Sequence, residues 1–507
     1  MTIDPTFRVG TVDPRLFGSF AEHMGRCIYT GLYEPDHPSA TKLGFRGDVL
    51  DLVAELGATI VRYPGGNFVS GYRWEDGVGP PEERPRRLDL AWRAIEPNLF
   101  GVDEFAAWCA TAGVEPMMAV NLGTRGVAAA TALLEYCNHP EGTELSDLRR
   151  ANGTKEPHDI KVWCLGNEMD GPWQIGHKTA AEYGRVAAET ARAMRRLDPS
   201  VELVACGSSN TRMPTFASWE ATVLAECYDA VDHVSLHNYY DPGTGDLGEF
   251  LASGSDLDRA ITAVVSTADH VGARLGSRRR LNVAVDEWNV WYQSRFHGED
   301  SLEWDEHRAL IEDTYDVADA VVVGSLMVTL LRHADRVGIA CQAQLVNVIA
   351  PIRTTPGGQA WRQTIFHPFA QAAALARGEV LRVEPRVEAY DASEHGDVPL
   401  LDSTATYDEE SGAVTLFAVN RSVDDDLELV VDLRALQGVR LETATTLAGP
   451  DGDVSATNTA GRPDAVRPRD NPRVRLEPGR LTAVLPPVSW NVVRLLPDAI
   501  TPTAHPS

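Results

Sequence analysis

Two rhythms of apolar and polar positions run along this chain, and the change from one to the other divides it. In the first three quarters, short apolar runs end in polar residues and are followed by stretches with apolar residues at helical spacing. Runs at 16–23, 58–63, 116–121, 161–165, 201–207, 233–240, 281–287 and 337–345 read as buried strands. Helical spacing marks 46–57, 103–113, 180–197 and 306–333. In the first of these Val49, Leu50, Leu52, Val53 and Leu56 share a face and Gly57 closes it. Eight alternations of strand and helix predict an α/β architecture, a parallel (β/α)8 TIM barrel over 11–377. Past residue 378 the spacing shortens to period two, as at 413–420 and 427–433, with Gly and Asp clusters between. That pattern predicts a C-terminal antiparallel β-sandwich, jelly-roll-like, over 378–507, with residues 1–10 adding a strand to it. Residues 448–472, rich in Gly, Pro, Asp and Asn, read as a long surface loop, and 502–507 as a frayed tail.

Charge narrows the partners. A formal charge of -27 over 507 residues would be repelled by nucleic acid and by an anionic membrane. No window approaches the 18 or so apolar residues a membrane span needs, and Met1-Thr2-Ile3-Asp4 starts no leader, so a cytoplasmic protein is expected. Seven cysteines without Cys-x-x-Cys spacing predict reduced core thiols.

Residues at the C-terminal ends of barrel strands converge on one face, which here collects Glu22, Arg62, Asn67, Asn167, Glu168, His237, Tyr239, Glu287 and Gln344. Gly166 breaks the fourth apolar run just before Glu168, and Gly171-Pro172 blocks a helix after it, so Asn167, Glu168 and Trp173 fall in a loop. Glu287 ends the seventh run in the same way beside Trp288. A lone strand-end glutamate is more often solvated or salt-bridged. Two of them on opposite sides of a barrel mouth supply what glycosidic hydrolysis needs, an acid for the leaving oxygen and a carboxylate for the anomeric carbon. A separation of about 5–5.5 Å would make the reaction retaining. Trp92, Trp173, Trp288 and Trp291 are candidate platforms for sugar rings, although core packing is the commoner use of any one tryptophan. His233 and His237 sit four residues apart on a strand, roughly 13 Å, too far to share an ion, so no metal and no cofactor are expected. Gly65-Gly66-Asn67 lacks the features of a phosphate loop. In 378–507 the aromatics are only Tyr390, Tyr407, Phe417 and Trp490, too few for a sugar-binding module, and Trp490 shares a strand face with Val488 and Val492, which predicts burial against the barrel.

Four long motifs, Phe20-Ala21-Glu22-His23, Arg62-Tyr63-Pro64-Gly65-Gly66-Asn67-Phe68, Gly166-Asn167-Glu168-Met169-Asp170-Gly171-Pro172-Trp173 and Asp286-Glu287-Trp288-Asn289-Val290-Trp291-Tyr292, closely resemble glycoside hydrolase family 51. Arg332-His333-Ala334-Asp335-Arg336-Val337 and the segment 344–352 extend the match over almost the whole chain. The resemblance implies a retaining, exo-acting alpha-L-arabinofuranosidase with Glu168 as acid/base and Glu287 as nucleophile. It also implies Glu22, Arg62, Asn67, Asn167, His237, Tyr239 and Gln344 around an arabinofuranosyl ring, an arabinose-containing oligosaccharide as substrate, and a homo-oligomer, usually a hexamer. A same-fold beta-xylosidase or endo-beta-glucanase is the alternative within the fold, and a non-catalytic sugar-binding protein the alternative outside it.

Overall fold

In the computed structural model, described over residues 1–243, 245–436 and 438–498, eight parallel strands close into a barrel. In chain order they are Gly18–Phe20, Ile60–Tyr63, Glu115–Ala119, Val162–Leu165, Glu202–Ala205, His233–Tyr240, Asn282–Val290 and Val337–Ala343. Each pairs with its neighbours in sequence and the eighth returns to the first, Cys341 opposite Gly18. The strands are buried on both faces because the interior is filled with side chains and the exterior is covered by helices.

Beyond the barrel, a seven-stranded antiparallel sheet runs in the order Arg8–Thr11, Glu379–Leu381, Leu401–Tyr407, Val414–Asn420, Ser489–Pro497, Val439–Leu447, Arg469–Asp470. Facing it is a three-stranded sheet of Leu427–Asp432, Arg480–Leu485 and Val474–Glu477. Their inner faces share one apolar cluster that includes Ile3, Leu416, Leu429, Val431 and Leu481. The other face of the large sheet belongs to the barrel's own core. Phe417, Val419, Trp490 and Val492 pack there beside the helices Val317–Arg332 and Phe366–Leu375. Trp490 is fully buried, stacks on Phe417 at 5.7 Å and donates its Nε1–H to Gln371 at 2.9 Å.

Several elements differ from the pattern read in the sequence. The helix expected over 306–333 starts only at Val317, because His307 and Ile311 are left-handed and Asp316 caps the helix through the backbone N–H of Asp319. The seventh strand does not stop at Glu287 but continues to Val290, with irregular register on both sides of Asp286. The 448–472 segment is not wholly at the surface: Asn458 and Val466 are buried, and the Val454 carbonyl accepts from the N–H groups of Val317 and Ala318. The tail at 502–507 lies outside the described residues. The helix Ser253–Leu275, which the sequence reading passed over, buries Leu257, Ala260, Ile261, Val264, Ala268 and Val271 at spacings of three and four and ends at left-handed Gly276.

Candidate active site

Arg62 is the centre of the barrel mouth. It lies one residue before the end of the second strand, is 1% exposed, and reaches both the seventh strand and the loop after the fourth. Its Nη1 donates to Glu287 Oε1 at 2.6 Å, its Nη2 to Asn167 Oδ1 at 2.7 Å, and its Nε lies 3.2 Å from Asp286 Oδ2. A guanidinium that deep is tolerable only because carboxylates surround it, and they hold its pKa well above the ordinary value against the cost of burial.

Glu287 takes a second donor on its other oxygen, the Tyr239 hydroxyl at 2.8 Å. Glu168 is presented differently. Gly166 at φ +97° and Glu168 itself at φ +43° turn the chain sharply out of the fourth strand, a left-handed non-glycine residue of the kind that clusters at functional sites. Its Oε2 accepts from Trp173 Nε1 at 2.7 Å and its Oε1 lies 3.0 Å from His237 Nδ1. A carboxylate oxygen of each glutamate and a ring nitrogen of His237 all lie within 4.8 Å of one another. His237 also approaches Asp286 through Nε2 at 3.2 Å. Burial alone would discharge this imidazole, but Glu287, Asp286 and Glu168 around it raise its pKa well above the ordinary histidine value.

On the opposite wall Glu22 accepts from Trp92 Nε1 at 2.9 Å, from the Phe68 backbone N–H at 3.0 Å and from Gln344 Nε2 at 3.2 Å. Gly65 and Gly66 leave room for it. A Cβ on Gly65 would stand 2.6 Å from Glu22 Cγ, and one on Gly66 would stand 3.1 Å from Glu287 Oε1. Between these walls lies a cavity of about 350 Å³.

Matches to known protein families bear on the same residues. The description "alpha-L-arabinofuranosidase 1 domain" fits residues 52–259 and "alpha-L-arabinofuranosidase C-terminal domain" fits 286–489. An intracellular exo-alpha-(1->5)-L-arabinofuranosidase of Streptomyces lividans is 60% identical, over 97% of this chain and 74% of that protein. The chain belongs to the family 51 alpha-L-arabinofuranosidases. Similarity at the level of structure is as extensive: a family 51 alpha-L-arabinofuranosidase from Bifidobacterium longum superposes with a TM-score of 0.93 at 48% identity, covering 97% of this chain and 98% of that one. An exo-alpha-(1->6)-L-arabinofuranosidase of the same organism is 50% identical over 98% of this chain and 97% of its own.

In this family 51 enzyme nine of the thirteen residues singled out in the sequence line the cavity: Glu22, Asn67, Trp92, Glu168, Trp173, Tyr239, Glu287, Trp291 and Gln344. Arg62, Asn167 and His237 stand behind that surface, Arg62 bonded to Glu287, His237 to Glu168, and Asn167 accepting from Arg62. Trp291 meets Tyr239 edge-on at 5.3 Å, whereas Trp288 is buried away from the cavity. The sequence reading missed Asp286 as a partner of both Arg62 and His237. Strict strand alternation would turn either Asp286 or Glu287 outward, and the irregular register lets both reach the centre. It also missed Ser209, Asn210, Arg212 and Gln293, loop residues that line the Trp173 side, where Arg212 Nη2 donates to Gln293 Oε1 at 3.4 Å.

Charge states separate the carboxyls. Burial raises the pKa of Glu168, and the nearby charge of Glu287 adds to this, while His237 and Trp173 oppose it. Burial pushes Glu22 up to about 8, against the pull of the Phe68 N–H and Trp92. Asp286, although buried, is held below the usual carboxylate range by Arg62 and His237.

Proposed function

We propose that this glycosidase removes terminal non-reducing alpha-L-arabinofuranosyl residues by double displacement, with Glu287 as nucleophile and Glu168 as acid/base. The observation that carries the reading is the proximity of the two carboxylates, whose oxygens lie within 4.8 Å. That spacing suits direct attack by a carboxylate, since an intervening water would need a gap of about 6.5–9.5 Å between carboxyl groups.

Glu287 attacks the anomeric carbon while Glu168 gives its proton to the departing oxygen. Covalent attachment removes the negative charge on Glu287, and with it one of the influences that hold the Glu168 pKa up. Glu168 then leaves the acid role and takes a proton from the water that releases the sugar. Glu22, Asn67, Tyr239 and Gln344 hold the ring hydroxyls, and Trp92, Trp173 and Trp291 shape the apolar sides. Arg62, Asn167 and His237 orient the two glutamates. Exo action is supported by the names of the Streptomyces and Bifidobacterium relatives.

The linkage in the name of the Streptomyces relative makes 1->5-linked arabino-oligosaccharides the first natural substrate to test. An intracellular name also supports a cytoplasmic setting, and among the described residues no helix is long and apolar enough to cross a membrane. A homo-oligomer, a hexamer, rests on the family resemblance alone, and Leu88 and Leu90, about 60% exposed near the hairpin over 87–96, are apolar side chains it could cover. A panel of aryl glycosides followed by proton NMR tests the core of the proposal. Furanosides should be preferred, and the first sugar formed should keep the substrate's anomeric configuration. A preference for pyranosides, or first appearance of the other anomer, would overturn it.

A further inference from the structure

Three loops converge on Glu22, and a buried polar network that the reaction steps do not use ties them to one another. His23, 4% exposed, donates through Nδ1 to Glu96 Oε2 at 2.9 Å, the direction required because a carboxylate only accepts, and its Nε2 is 2.7 Å from the Tyr63 hydroxyl. Its ring stacks on Phe68 at 4.7 Å and 19°, and its backbone N–H donates to the Pro64 carbonyl at 3.1 Å. Glu96, 5% exposed, also accepts from the Asn98 backbone N–H at 2.7 Å and from the Tyr29 hydroxyl. In the same hairpin Asp89 accepts from the backbone N–H groups of Ala91 and Trp92, both at 3.0 Å, which sets the turn carrying Trp92.

The consequence is geometric. Two donors that grip Glu22, the Phe68 N–H and the Trp92 Nε1–H, come from the loop after the second strand and from the hairpin over 87–96. His23 follows Glu22 directly in sequence, touches the first loop through Tyr63, Pro64 and Phe68, and joins the hairpin through Glu96. We propose that His23 and Glu96 form a positioning dyad that fixes Glu22 against the arabinofuranosyl ring, and so sets substrate affinity without touching substrate. This rests on the reading of Glu22 as a ring-contacting group.

The test is a double-mutant cycle on an aryl alpha-L-arabinofuranoside. His23→Phe keeps an aromatic ring against Phe68 and removes both hydrogen bonds. KM should rise about tenfold with kcat changed less than about threefold, the pattern of lost binding that is uniform through the reaction. In the Glu22→Gln background the same change should cost less than about twofold further, because groups acting through one another are not additive. Tyr63→Phe removes only the hydroxyl on Nε2 and should move KM the same way by a smaller factor, which keeps the test open if His23→Phe does not fold. An unchanged KM in the folded variants, or full additivity with Glu22→Gln, overturns the dyad. Full activity of Glu22→Gln alone would instead remove the ring-contacting role of Glu22, and the dyad's function with it.

Discussion

The mouth of the barrel and the apolar stretch of the barrel–sandwich seam around Trp490 are both buried, and they are built on opposite principles. Elsewhere the same seam carries a charged cluster, Arg332 with the buried Asp402 and Arg421. At the mouth, Arg62, Asn167, His237, Asp286 and Glu287 are each no more than 5% exposed, and every charge is answered by another. Along the seam, Phe417, Val419, Trp490 and Val492 meet the barrel helices in apolar contact, so close that a Cβ on Gly324 would stand 2.5 Å from Trp490 Cε3. Desolvated charges contribute little net stability, but they pre-organise a reaction. Dense apolar packing does the reverse. Activity should therefore suffer most from changes at the mouth, and stability from changes at the seam.

The largest effect is expected at the mouth. Glu287→Ala should lower turnover by about 10⁴-fold or more on every substrate, since all of them require the nucleophile. Glu168→Ala should still form the glycosyl-enzyme from an activated aryl furanoside, and added azide should then give a glycosyl azide of retained configuration. An inverted azide from Glu168→Ala would exchange the two assignments. Glu168→Ala should unfold within a few degrees of the parent, whereas Glu287→Ala leaves the buried Arg62 guanidinium with Asp286 as its remaining carboxylate and should unfold earlier.

The seam should show the converse. Trp490→Ala removes the ring stacked on Phe417 and the bond to Gln371, and should cost roughly 3–5 kcal/mol in chemical denaturation. Turnover per folded molecule should be unchanged. A loss under about 1 kcal/mol, or a fall in the turnover of the folded fraction, would show that the seam is not a purely structural contact. Deleting 378–507 exposes the whole apolar face at once and should give aggregated protein.

The seam was easier to foresee than the mouth for the same physical reason. Strand alternation put Trp490 on one face with Val488 and Val492, and all three are buried. The eight barrel strands were visible as apolar runs, and Gly166 announced the turn at Glu168. What stayed hidden depends on contacts between residues distant in sequence or on conformations that no glycine marks. Arg62 and Glu287 are 225 positions apart and His23 and Glu96 are 73 apart, so only the closed fold pairs them. His307 and Ile311 adopt left-handed conformations that helical spacing gave no warning of.

A smaller effect follows from the protons the mouth retains. Burial raises Glu22 from 4.5 to about 8 and Asp89 from 3.8 to about 7. A carboxyl whose pKa is higher in the folded state contributes stability that is fully present below its unfolded pKa and is lost as pH rises through its folded pKa. Between about pH 4 and pH 8 these two groups should make the protein progressively less stable. Glu22→Gln cannot ionise, so its melting temperature relative to the parent should climb as pH is raised from about 5 to about 9. A constant difference across that range would mean that Glu22 titrates alike in both states.

The smallest effect, none at all, is expected from chelation. Glu168, His237 and Glu287 have ligand atoms within 4.8 Å of one another, a grouping that could hold an ion. Each of those atoms already has a partner of the opposite kind. Arg62 donates to Glu287 at 2.6 Å, Tyr239 to the same carboxylate at 2.8 Å, Trp173 to Glu168 at 2.7 Å, and His237 sits between the glutamates with its pKa raised. A divalent cation there would face a guanidinium across one carboxylate and would require His237 to give up its proton, which three neighbouring acids oppose. Prolonged treatment with EDTA should leave kcat/KM unchanged. A loss restored by a single divalent ion, and abolished by His237→Asn, would place that ion among these residues and make the mouth a metal site in addition to a charge-paired one.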